Sequence, residues 1–156
     1  TGLSKTEAAI LTSTYWIGFM LGRFATVFLA RKSHGILAIQ IGALLNIATC
    51  ALLYLRFDSL LLPCALIYGI AAAPQFPLMF GFIGNRTSLS GKMTARIVGT
   101  AGISSTTLPW LAGQFLERVG VWTFPVFLAA TAATVFIATK LITNSFGISE
   151  HVSKRA

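Results

Sequence analysis

Charge is what this sequence has least of. Lysine, arginine, aspartate and glutamate make up 10% of its 156 residues, against about a quarter in a soluble domain. A water-soluble fold of this size needs a charged surface, and the residues to build one are missing. Only four acids are present, Glu7, Asp58, Glu117 and Glu150, with two histidines, His34 and His151. No carboxylate pair, HExxH, nucleophile elbow or phosphate loop can be assembled from them. An intramembrane hydrolase would need a Ser/His or Asp pair inside an apolar run, and no His or Asp lies in one. The chain therefore reads as a non-enzyme, with no metal site and no cofactor. Cysteine is scarce too. Cys50 and Cys64 both lie in apolar segments, placed symmetrically about the turn at Phe57, and read as buried free thiols.

What is present is apolar. Hydrophobic residues reach 55% and the mean hydropathy is +0.78. This composition fits a chain whose solvent is lipid. Five segments are long enough to cross about 30 Å of hydrocarbon as helices: residues 7–30, 35–55, 59–84, 91–116 and 121–143. The expected fold is all-α, a polytopic transmembrane bundle of five spans, followed by a polar tail over residues 144–156 that reads as disordered. The connectors RKSH, RFD, NRTSLS and ERVG are short, so neighbouring helices run antiparallel. The sequence opens on Thr1 rather than Met, which reads as a fragment or a processed chain, and no cleavable signal peptide is visible.

The formal net charge of +8 is best explained by topology. One set of connectors holds Arg31, Lys32, Arg86, Lys92, Arg96, Lys140, Lys154 and Arg155; the other holds Lys5, Arg56 and Arg118. The positive-inside rule puts the richer set, and with it the C-terminus, in the cytoplasm. The sequon Asn85-Arg86-Thr87 then faces the cytoplasm and reads as chance. No basic patch is interleaved with aromatics, so a nucleic-acid partner is not expected.

The residues that can carry function lie on three spans. The first contains YWIGFMLGRFATVFLARK, with Arg23 inside an apolar run. An ionised Arg in mid-bilayer costs roughly 2.5 to 3.5 kcal/mol, so it needs a partner or a water-filled cavity. Helical spacing puts Thr12, Trp16, Phe19 and Arg23 near one face, with Tyr15 beside them, and the Gly18/Gly22 pair on the other. Such a helix lines a cavity with one face and packs closely with the other. The alternative is that Arg23 snorkels to the cytoplasmic end and has a structural or gating role. The third span holds AAAPQFPLMF, where Pro74 and Pro77 interrupt the helix. Breaks of this kind are tolerated where backbone lines a cavity or neighbours compensate. Gln75 between them is a candidate solute ligand, or else bonds a neighbouring helix. The fourth span, ARIVGTAGISSTTLPWLAG, aligns Arg96, Thr100, Ser104 and Thr107. These hydroxyls suit a sugar-like solute, or bond back to their own helix. Pro109 is expected to kink that helix, and Trp110 to anchor at the outer interface. Ala95-Gly99 and Ala129-Ala133 are small-residue packing pairs; Gln40 and Asn46 read as helix–helix glue.

LSKTEAAILTSTYWIGFMLGRFATVFLARK resembles the eighth span of major facilitator superfamily transporters, in the fucose-permease and sodium-dependent glucose transporter branch. Gly22-Arg23 and Arg31-Lys32 carry the likeness. GIAAAPQFPLMF resembles the tenth span through Phe76-Pro77. ARIVGTAGISSTTLPWLAGQFLERVG resembles the eleventh through Val98, Gly99, Ala101, Pro109, Gly113 and Glu117. The resemblance implies spans eight to twelve, part of the C-terminal lobe. Its first, third and fourth spans line a central cavity, and alternating access moves a small polar solute, a sugar. It implies as partners the bilayer, that solute and the missing N-terminal lobe. It also implies a coupling ion, H+ or Na+, with no site identifiable in this stretch. By this reading Tyr15, Trp16, Arg23, Gln75, Thr100, Ser104 and Thr107 line the cavity. Gly18, Gly22, Pro74, Pro77, Gly99, Pro109 and Gly113 serve packing or gating. The expected residence is the plasma membrane. The rival reading is a non-transporting scaffold, or a truncated relative that assembles with other helices.

Overall fold

The computed structural model describes residues 4–31, 35–55, 58–85 and 88–145. The connector residues 32–34, Arg56, the Arg86-Thr87 part of the sequon and most of the C-terminal tail lie outside them. The elements are α1 (Lys5–Arg31), α2 (Gly35–Tyr54), a 3-10 turn (Asp58–Leu60), α3 (Leu61–Ala72), α4 (Gln75–Gly84), α5 (Gly91–Val119) and α6 (Thr123–Ser145). Among the described residues there is no strand, and the chain is an all-α bundle.

Local sequence sets the helix ends. Ser4 and Glu7 form a reciprocal capping box at the start of α1: Ser4 N–H donates to Glu7 Oε2 (2.7 Å), and Glu7 N–H to Ser4 Oγ (3.2 Å). Ser90 caps α5, its hydroxyl accepting from Met93 N–H. Gly120, at φ 118°, ends α5 in a conformation that an L side chain rarely adopts. Pro63, Pro77 and Pro125 each stand third in their helix. There the missing N–H has no intrahelical acceptor to lose.

Three boundaries differ from the sequence expectation. The third span is two helices, because Pro74 cannot donate back to α3. The ladder stops with Ala73 N–H on Gly69 O and resumes with Leu78 N–H on Pro74 O, both 3.1 Å. The fourth helix runs on through Glu117 and Arg118 to Val119, since nothing before Gly120 stops it; it is also continuous through Pro109. The last helix starts at Thr123 and includes Asn144 and Ser145, which had been assigned to the tail.

Contacts arrange the helices in a row. α1 packs mainly on α3, α3 and α4 pack on α2, α2 packs on α6, and α5 lies lightly against α6. The buried stripe of α2 is Ile39, Gly42, Ala43, Asn46, Thr49 and Cys50, at the spacing of one helical face. It meets buried Cys64 and Ala71 of α3, whose Gly69 faces α1 instead. Most of these residues are small, as close helix packing in lipid requires. Large apolar side chains such as Met20, Phe24, Phe28 and Leu141 point outward, the inverse of a soluble fold. The segments Gly35–Tyr54, Leu61–Gly84 and Thr123–Asn144 are long and apolar enough to cross a membrane. The protein is therefore read as a membrane protein. At 27 and 29 residues, α1 and α5 are long enough too, about 40 Å, but they are the polar helices of the set.

Candidate functional site

The face of α1 opposite its glycines carries a continuous aromatic surface. Tyr15 and Trp16 meet edge to face at 5.3 Å, and Trp16 and Phe19 do so at 5.7 Å. Tyr15 also approaches Phe19 at 6.0 Å and Tyr68 of α3 at 6.4 Å. These separations lie within the range where aromatic pairs attract beyond simple burial. Arg23 ends the series. Its guanidinium carbon stands 5.1 Å from the centre of the Phe19 ring, within cation–π range. Trp16 is 58% exposed and Arg23 is exposed, so both are available to a molecule beside the helix.

The register of α1 follows from glycine. Gly18 lies on the Leu66 carbonyl, Gly22 on the Ile70 carbonyl and beside Ala73, and Gly69 of α3 on the backbone of Tyr15 and Phe19. This seam leaves Trp16 and Arg23 exposed and holds Tyr15 and Phe19, both half-buried, at the edge of the α1–α3 contact. It also sets Gly22, next to Arg23, at the level of the α3–α4 break.

A cavity of about 310 Å³ opens behind Tyr15. Its walls include Thr12 and Tyr15 of α1, Leu53 of α2, Tyr68 of α3 and Phe124 of α6. Tyr15 thus separates the cavity from the aromatic face. Tyr68 and Gly69 were not singled out from the sequence. The signal for them lies only in their position across from Tyr15 and Gly18, which a single chain does not display.

The other candidates are placed elsewhere. Gln75 is half-buried, and its Nε2 donates to the Ala71 carbonyl at 3.2 Å, one turn back. It faces Gly42 of α2, away from the α1 face. The break therefore turns Gln75 toward a helix neighbour, with Pro74 buried and Pro77 in the first turn of α4. Thr100 donates back to the Arg96 carbonyl. Ser104 is half-buried and Thr107 is exposed. Their helix packs on α6, so the hydroxyl stripe is not brought to Arg23. Gly99 and Gly113 have no neighbour within 4 Å where a Cβ would stand, so among the described residues they are not close-packing positions. Asn46, only 2% exposed, leaves its Oδ1 without a hydrogen-bond partner. Among the described residues, no three of His, Cys, Asp and Glu are grouped as metal ligands. The arrangement offers a stacking surface and one fixed positive charge side by side on α1.

No family model matches this chain, and no solved structure matches it. It is 29% identical over 135 residues to sodium-dependent glucose transporter 1 of Danio rerio. That match takes in 85% of this chain and 23% of the relative. The chain thus spans less than a quarter of the length of the curated relative it matches.

Proposed function

We propose that this chain is part of a secondary active transporter that moves a small polar solute, a sugar, by alternating access. The observation that carries the reading is the exposed Trp16–Phe19–Arg23 surface on a helix of an otherwise apolar bundle. Aromatic faces stack on sugar rings, and a guanidinium donates to ring hydroxyls. The likeness to a sodium-dependent glucose transporter supports the same solute class. We assign the chain to a major-facilitator fold of the fucose-permease branch, as spans eight to twelve, with Arg23 facing the space between two lobes. The N-terminal lobe is its partner, Na+ or H+ its coupling ion, and the C-terminus is cytoplasmic in the plasma membrane. In this reading the chain serves transport rather than catalysis, and α1 to α6 form the membrane bundle.

The test is sugar uptake by cells expressing the native polypeptide that carries this sequence. Trp16→Ala and Arg23→Gln are expected to lower uptake about tenfold or more, the loss of one charge-assisted hydrogen bond or one stacking contact, with normal surface expression. Gln75→Leu is expected to lower stability before uptake, because its amide serves Ala71. The second reading, a scaffold that assembles with other helices, is favoured by Gln75 acting within the bundle. It gains support if the α1 variants lose expression alone. The isolated 156-residue chain is expected not to transport in liposomes, and uptake by it would refute the half-lobe assignment.

A further inference from the structure

Arg23 is permanently charged in any protein setting. Its observed contact, the Phe19 ring at 5.1 Å, attracts the cation through the ring face, and among the described residues none of its five N–H donors has a hydrogen-bond partner. Among the described residues no carboxylate reaches it. The sequence explains why: Glu7, Asp58, Glu117 and Glu150 all stand at helix ends or beyond. The other helix cations are held elsewhere. Lys140 lies over its own ring, Phe136, at 5.8 Å, and Lys92 and Arg96 belong to α5, which packs on α6. A fixed positive charge with unpaired donors therefore adjoins a stacking surface on α1.

A neutral ring seated on Trp16 and Phe19 offers the guanidinium only hydroxyls, which are weaker acceptors than an anion. A ring that brings its own carboxylate gains more, because Arg binds carboxylate through two parallel bonds in a fixed fork. We infer that the solute taken by the α1 face is anionic, a sugar acid or a similar ring-bearing carboxylate, with Arg23 holding its oxyanion and Trp16 and Phe19 holding its ring. This rests on the transport reading above and narrows its solute class.

The experiment is exchange of labelled glucose and labelled glucuronate in proteoliposomes holding the native polypeptide. The two rings differ at one carbon, and the membrane potential is clamped at zero so that charge does not drive uptake. The wild type is expected to favour glucuronate by about tenfold or more, the least one charge-assisted pair supplies. Arg23→Lys is expected to keep a reduced preference, and Arg23→Gln to invert it. Glucose equal to or better than glucuronate in the wild type would overturn the inference and leave sugar transport standing. So would an unchanged ratio in Arg23→Gln. If monodisperse, folded protein exchanges neither solute, the inference falls and the transport reading falls with it.

Discussion

The α1–α3 seam offers the most direct physical test of this architecture. A Cβ built on Gly22 would lie 2.8 Å from the Ala73 Cβ and 3.0 Å from the Ile70 Cα, and closer still to the Ile70 carbonyl oxygen. On Gly69 it would stand 2.8 Å from the Phe19 nitrogen and press on the Tyr15 carbonyl. On Gly18 it would meet the backbone of Leu66. Apart from the Ala73 methyl, the obstructing atoms are backbone, so no rotamer change relieves them. Restoring ordinary contact at 3.4 Å requires the helices to part by at least 0.6 Å at Gly22. A gap of this size forfeits roughly a quarter to a half of each dispersion contact along the seam. Gly18→Ala, Gly22→Ala and Gly69→Ala are each expected to cost about 1 to 3 kcal/mol. Pairs among them should be non-additive, since one opening of the seam accommodates both methyls.

Gly99→Ala and Gly102→Ala are the controls, because among the described residues nothing lies within 4 Å of either position. They are expected to leave stability unchanged or to raise it by up to about 1 kcal/mol, since alanine favours a helix interior over glycine. The assay is thermal unfolding of the purified native polypeptide in mild detergent, followed by loss of monodisperse elution. Equal midpoints for the seam variants and the controls would refute the close approach of α1 to α3, and with it the register that presents Arg23.

Two further outcomes follow from local structure. Ser4→Ala removes half of the capping box and is expected to cost about 1 kcal/mol locally, seen as faster amide hydrogen exchange confined to the first turn of α1. Cys50 and Cys64 are each 2% exposed and free, so a membrane-permeant maleimide is expected to label neither in the folded protein and both after SDS denaturation; rapid labelling of either would contradict the packing of α2 on α3.

The helices were legible because lipid makes run length and apolarity sufficient signals. The break at Pro74 was legible because two prolines three residues apart leave few alternatives. The seam was half legible: Gly18 and Gly22 show a spacing, whereas Gly69 stands alone in α3 and acquires meaning only beside Tyr15. Gln75 shows the limit more sharply. Sequence places it at the break, but its direction depends on how α3 and α4 turn against Gly42 of α2, which no spacing within one helix encodes. Arg96, Thr100, Ser104 and Thr107 share the one helix α5, but their spacing does not say what that helix faces. Short connectors make neighbours antiparallel but do not choose which other helix a span packs on, and here α5 packs on α6.

Polarity and position run opposite to what lipid alone would select. The helices at the two ends of the row, α1 and α5, each lean on one main neighbour, α3 and α6, so lipid alone would make both strongly apolar. Instead they are the two that fall short of the apolarity of α2, α3–α4 and α6, and they carry Arg23, Arg96, Thr100, Ser104 and Thr107. One arginine left in hydrocarbon costs roughly 2.5 to 3.5 kcal/mol, comparable with the 1 to 3 kcal/mol of a whole glycine contact in the seam. A bundle that met lipid on all sides would be destabilised at its own edges. The inversion is resolved if the Arg23 side of α1 and the hydroxyl side of α5 meet water or polar protein while Met20, Phe24 and Phe28 meet lipid, as the transport reading proposed above requires.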